Sequence, residues 1–255
     1  QAISPLIGEW VAHWIGFPAF ITATAVACIA ALGPTLPLAA LLNETRFGPQ
    51  TVAVTDADGR HPLYWPLLIY AGFIGSLFGA MLTFVPVMFL QAGADNVGPF
   101  FIGCSGAAVF VRIFFGGWGD RGDRDRIMAA SGALAIFTVA LTAALGFHIA
   151  EAGPHRLLMV LIGSMFGFGV GFFYPVANAR FIELGPDALR GKYMSYYSTT
   201  YATGITTASF VYGYVVEWAG YGWMFAVASA LASMALGLWI LRFSRSRRAR
   251  ISAPA

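Results

Sequence analysis

Charge is what this sequence has least of. Asp, Glu, Lys and Arg make up 11% of its 255 residues, where a soluble domain carries about 25%. With 58% of the residues hydrophobic, there is too little polar side chain to cover a water-facing surface, which excludes a soluble globular domain. Cysteine is scarce as well. Cys28 and Cys104 both lie in apolar runs, which excludes a disulfide framework and a cysteine zinc site. Of the four histidines, His148 and His155 flank one turn, and no metal or cofactor is expected. There is no Ser/His/Asp set and no His-Glu-x-x-His, so the chemistry of an intramembrane enzyme has no visible carrier. The net charge of +3 reflects arginines gathered in connections rather than a nucleic-acid partner, and none is expected.

What the sequence does have is long apolar runs. A helix of about 20 residues crosses the hydrocarbon core of a bilayer, and six such runs follow residue 63, over 64–90, 97–118, 127–149, 157–182, 193–216 and 221–243. Ahead of them, residues 1–42 read as the end of one span and a complete second one holding Gly33, Pro34 and Pro37. Such residues are tolerated in a membrane helix whose neighbours re-satisfy the backbone. The chain opens on Gln1 inside an apolar segment, and the first part of that span is expected to precede this sequence. Residues 43–62 form a polar linker. The last stretch, 244–255, forms a basic tail. Short connections make neighbouring spans antiparallel. The predicted class is an all-α integral membrane protein.

The basic residues then orient the chain. Arg46, Arg60, Arg121, Arg124, Arg126, Arg190, Lys192 and the five arginines between Arg242 and Arg250 fall on one side; Arg156 alone falls on the other. The positive-inside rule places the first set in the cytoplasm. The protein is therefore expected in a plasma membrane, a bacterial inner membrane, with a cytoplasmic C-terminus.

Six spans also invite a search for internal repeats. Phe84-Val-Pro86-Val87 and Phe173-Tyr-Pro175-Val176 stand 89 residues apart, each in the first helix of a three-helix unit. Three crossings invert the second unit relative to the first, and matched breaks in inverted repeats point to a site at the midplane. Pro86 and Pro175 are accordingly candidate hinges.

Several motifs in order resemble the major facilitator superfamily, in its drug and sugar efflux branches. Gly116-Gly-Trp-Gly119-Asp120-Arg121-Gly122-Asp123-Arg124-Asp-Arg126 resembles the Gly-x-x-x-Asp-Arg-x-Gly-Arg-Arg loop between that family's eighth and ninth helices. Asp123 and Asp125 interrupt its glycine position and basic run. Asn43-Glu44-Thr45-Arg46 is similar to the Pro-Glu-Thr-Arg closing the sixth helix. Ser4-Pro5-Leu-Ile-Gly8-Glu9 resembles the antiporter signature Gly-Pro-x-x-Gly-Gly, with its first and last glycines replaced. Gly167-Phe-Gly-Val-Gly171-Phe-Phe-Tyr174-Pro175 and Leu189-Arg190-Gly191-Lys192 resemble the tenth helix and the loop after it. The resemblance implies a major facilitator-type helical bundle running from the end of helix five through helix twelve, with 63–243 as its C-terminal six-helix half. It also implies a conformational switch in the charged loop, in which Arg112, Gly116, Gly119, Asp120, Arg121, Arg124 and Arg126 take part.

The residues themselves leave some alternatives open. Arg124 and Arg126 fit a solvated loop as well as a switch. A carboxylate such as Asp120 near a helix N-terminus gains roughly 0.3–1 kcal/mol, enough to tilt two nearby states. Arg112, inside an apolar span, either snorkels to headgroups or pairs with a carboxylate. Glycines 163, 167 and 171 have the spacing of close helix packing. Tyr174 and Asn178 share one face, and Tyr193, Tyr197 and Tyr201 form a stripe at i, i+4 and i+8. An aromatic body with a polar tip suits a wet cavity, so Phe84, Tyr174, Asn178, Tyr197 and Tyr201 are the candidate cavity residues. The Ser and Thr hydroxyls around them could equally bond their own backbone. Gln91 and Asp95 are expected as caps, and Thr138 as peripheral.

Two functions are consistent with this. One is a secondary transporter of small solutes by alternating access, of efflux type, with a proton as candidate coupling ion; it would work as a monomer in the bilayer. The other is a membrane receptor or scaffold that keeps the fold without transport.

Overall fold

The protein is described here by a computed structural model covering residues 64–115, 123–152, 155–185 and 189–251, together with Ala19, Thr22 and Val26. The chain divides into two compact units, Ile3–Gly59 and Arg60–Ala255. In the first, Thr22 Oγ1 donates to the carbonyl of Ala19 at 2.9 Å. The second holds the long helices, and the described residues contain no strand.

These helices are α1 (Tyr64–Gln91), α2 (Gly98–Phe115), α3 (Arg124–Ala152), α4 (Arg156–Glu183) and α5 (Arg190–Ile251). Each is long and apolar enough to cross a membrane. Five helices carry six runs because the two last runs are joined without a loop. Gly220, at φ 81 and ψ 174, is the sole non-helical residue within α5. That backbone region is open to glycine and strained for other residues, so one residue does the work of a turn and divides α5 into two arms. At its other end, α3 starts three residues earlier than the apolar pattern indicates. The Asp123 carbonyl accepts from the amides of Arg126 and Ile127, both at 3.0 Å, and Asp125 sits in the first turn, where the helix dipole favours an acid. Gln91 is the last residue of α1, and at the start of α2 the Oδ1 of Asn96 accepts from the Gly98 amide.

Two parallel helix pairs, built alike, form the centre. In the first, α1 lies along the first arm of α5. Gly75 meets the carbonyl of Tyr201, Gly204 meets that of Gly72, and a Cβ on Gly79 would stand 2.5 Å from that of Ile205. In the second, α2 lies along α4, with Gly163 against the Phe100 carbonyl, Gly167 against that of Cys104 and Gly103 against that of Val160. A shift of 88 residues carries Gly72, Gly75 and Gly79 onto Val160, Gly163 and Gly167; a shift of 101 carries Phe100, Gly103 and Cys104 onto Tyr201, Gly204 and Ile205. The first helix of each repeat therefore pairs with the second helix of the other. Small residues let membrane helices approach backbone to backbone, where van der Waals packing replaces the hydrophobic drive.

The prolines do not keep this register. They stand 89 residues apart, one residue out of step with the glycines. One residue is about 100° of helix turn, and the two rings end on different faces: Pro86 is buried and Pro175 exposed.

The remaining helix and arm complete the core. α3 runs antiparallel to α4, with Gly169 against the backbone of Ser131 and Ala135, and Tyr70 of α1 reaches the Met128 carbonyl at 3.5 Å. The second arm of α5 begins beside α3, where Gly222 meets Gly146 and Trp223 meets Phe147 edge-on at 5.5 Å. Thr138 is not peripheral. It is wholly buried and donates to the Leu134 carbonyl at 2.8 Å, because the apolar side chains of α3 take its outer face.

Candidate functional site at the junction of α1, α4 and α5

Where α4 crosses the central pair, its antiparallel course brings an aromatic cluster together. The Tyr174 ring lies 5.0 Å from that of Tyr201 at 72° and 5.6 Å from that of Tyr197. The hydroxyl of Tyr197 donates to the Tyr174 carbonyl at 3.2 Å. Phe78 of α1 closes the cluster, 6.3 Å from Tyr201. One turn toward the start of α5, Tyr193 packs against Tyr64 at 5.3 Å and Phe181 at 5.6 Å.

Of the sequence-derived candidates, Tyr174, Tyr197 and Tyr201 thus do come together. They do so inside the packing: Tyr197 is 0% exposed and Tyr201 7%. Phe84 is buried on α1 and makes no ring contact among the described residues. Asn178 sits one turn beyond Tyr174, and its Oδ1 is buried without a hydrogen-bond partner among the described residues. A buried amide oxygen left unpaired is costly, and most such atoms in folded proteins are paired. This one stands out in a bundle whose other buried hydroxyls largely bond backbone. No group of His, Cys, Asp and Glu able to hold a metal occurs among the described residues.

The family model of the Major Facilitator Superfamily matches residues 107–254, more than half of the chain and most of this helical unit. The chain belongs to the Major Facilitator Superfamily. No curated protein matches it. As a member of this superfamily it is a multi-pass membrane protein of the transporter class, and its all-helical bundle agrees with that membership.

The charged segment of this Major Facilitator Superfamily chain is split by the structure. Gly116, Gly119, Asp120 and Arg121 lie outside the described residues. Arg112 lies exposed in the last turn of α2, beside exposed Ile113 and Phe114, with no ion pair among the described residues. Arg124 and Arg126 belong to the first turn of α3 rather than to a loop. There they enter a network that the sequence reading missed. Arg180 Nε meets Asp125 Oδ1 at 2.8 Å, Arg124 pairs with Glu183, Arg180 also reaches Glu183 at 3.4 Å, and Arg126 meets Asp123 at 3.2 Å. The signal was available. Consecutive antiparallel helices place the start of one beside the end of the next, and 123–126 and 180–183 carry complementary charges. Asp125, which interrupts the basic run of the loop it resembles, is the acid that Arg180 needs.

Proposed function

We propose that the chain is part of a secondary transporter that moves a small solute by alternating access, in the export direction, with Arg124, Arg180 and the C-terminus on the cytoplasmic side. The observation that carries this reading is the unpaired, buried Oδ1 of Asn178, one turn along α4 from Tyr174 of the aromatic junction. A small-molecule site is mostly apolar, with a few polar groups that fix orientation, and this junction has that composition. Each proline removes the helical hydrogen bond to the carbonyl four residues earlier, those of Leu82 and Gly171, which lowers the resistance of α1 and α4 to bending. Tyr174, Tyr197 and Tyr201 would carry such a bend into α5, and Phe84 would follow it on α1. The charge network between α3 and α4, continued by the loop that holds Asp120, would bias the equilibrium between inward and outward states.

The full-length transporter in proteoliposomes, loaded in turn with a labelled monosaccharide and a fluorescent lipophilic cation, is expected to release at least one of them faster than equally loaded protein-free liposomes do. Tyr174→Phe and Tyr201→Ala should each slow that release severalfold. Release no faster than from protein-free liposomes for both probes would favour a non-transporting receptor. The orientation has its own check at Gly191, which is exposed with open space around it. Gly191→Cys should resist a membrane-impermeant thiol reagent in intact cells and react once the cells are opened; reaction in intact cells would reverse the topology.

A further inference from the structure

The first arm of α5 is built inside out relative to α3. On α3 the hydroxyls face inward: Ser131, Thr138 and Thr142 are buried, while Phe137, Leu141 and Phe147 are exposed. The second arm of α5 likewise presents Trp223, Val227, Met234 and Leu241 outward. The first arm buries Tyr193, Tyr197, Tyr201 and Tyr212 instead and exposes Ser195, Thr199, Thr203 and Thr206, together with Tyr196 and, past Thr206, Phe210 and Tyr214. Spacings of four, four and three residues put these hydroxyls on one helix face. At its edge, Ser209 Oγ lies 3.3 Å from Thr83 Oγ1 of α1, so the polar strip continues onto the neighbouring helix.

Backbone bonding does not explain the difference. Ser195 donates to the Gly191 carbonyl at 3.0 Å and Thr206 to that of Ala202 at 3.1 Å, but the buried Thr138 and Thr142 of α3 do the same at 2.8 Å. α3 bonds its hydroxyls locally, as the first arm does for Ser195 and Thr206, and only the first arm turns them outward. Lipid rewards the α3 arrangement, with apolar side chains outside. A face that presents a row of hydroxyls is matched to water or to a hydrogen-bonding solute.

We infer that the hydroxyl face of Ser195, Thr199, Thr203 and Thr206, rather than the tyrosine stripe behind it, is the wetted wall of the solute path. The face bears no charged side chain along these four residues, so the solute it fits is an uncharged, hydrogen-bonding one. This inference rests on the transporter reading, and its test does not need transport to occur. A cysteine thiolate attacks the sulfenyl sulfur of a methanethiosulfonate, forming a mixed disulfide and releasing methanesulfinate, and that thiolate forms in water and not in hydrocarbon. In the full-length protein, Thr199→Cys and Thr203→Cys should react with a charged, water-borne methanethiosulfonate at least tenfold faster than Phe137→Cys and Met234→Cys. The parent protein supplies the background from Cys28 and the buried Cys104. Rates at 199 and 203 no faster than at 137 and 234 would overturn the proposal and leave this face to lipid or to another helix. The solute class is tested separately in the flux assay, where release of the monosaccharide supports it and release of the cation alone overturns it. Loss of all flux with fast labelling would sink the transporter reading and keep the wetted face.

Discussion

Gly167→Leu is expected to remove nearly all folded protein from the membrane, whereas Gly106→Leu should leave its amount and thermal stability unchanged within error. The two glycines lie on the paired helices α4 and α2, and only the first meets backbone. A Cβ on Gly167 would collide with the carbonyl, C and Cα of Cys104, while one on Gly106 finds nothing within 4 Å. Overpacking a soluble core costs about 1–3 kcal/mol because side chains can shift. Here the obstacle is main chain, no rotamer relieves it, and the whole α2–α4 seam must part. Size-exclusion profiles of detergent extracts, read on a fluorescent fusion, would show the loss. Equal amounts of monodisperse Gly167→Leu and parent protein would mean that the seam is not a close contact. The repeat relationship deduced from it would then fail as well.

The second large effect separates stability from activity. Asn178→Leu exchanges an unpaired buried amide for an apolar side chain of similar size. Removing a buried polar atom that has no partner is neutral or stabilising, so thermal unfolding should occur at the same temperature or higher. Solute release should fall at least tenfold, since the amide is proposed to be held unpaired for the solute. A purely structural asparagine gives the opposite pattern, with unfolding at a lower temperature and release proportional to the protein that survives. Asn178→Leu that transports at the parent rate would remove Asn178 from the site.

Much of the architecture was legible because a bilayer demands long apolar runs, and 64–90, 157–182 and their companions differ from the observed helices by a few residues. The discrepancies have local causes. Arg124 and Arg126 look like loop residues by polarity, yet the Asp123 carbonyl and the acid at 125 already support a helix there. Gly220 falls in a short connection between two apolar runs, and nothing in its neighbours shows that it is the whole turn. The glycine spacing of 163, 167 and 171 identifies a packing face but not whose carbonyl it meets, because that is a property of the partner helix. The tyrosine stripe was ambiguous for a related reason. Along α5 the tyrosines and the hydroxyls occupy opposite faces with the same periodicity, and either could line a cavity. Packing against Tyr174, Phe78 and Phe181 decides that the tyrosines go inside.

The glycine register also measures how unequal the two repeats are. Under the shift of 88, the last residue of α1, Gln91, corresponds to Ala179, yet α4 continues to Glu183. Under the shift of 101, the first residue of α2 corresponds to Thr199, yet α5 already starts at Arg190. The surplus is four residues on one helix and nine on the other, about 6 Å and about 13 Å at 1.5 Å per residue. It holds Arg180 and Glu183, with their partners on α3, and the Tyr193 contact with Phe181. The second repeat therefore ends in a raised, charged collar that the first repeat lacks on the opposite side of the membrane. Two helix ends that a perfect duplication would have made alike are furnished differently: one is short, the other tall and ionic. Ionic strength and anionic headgroups on the collar's side thus meet a network of ion pairs, where the corresponding turn of the first repeat carries the single exposed acid Asp95.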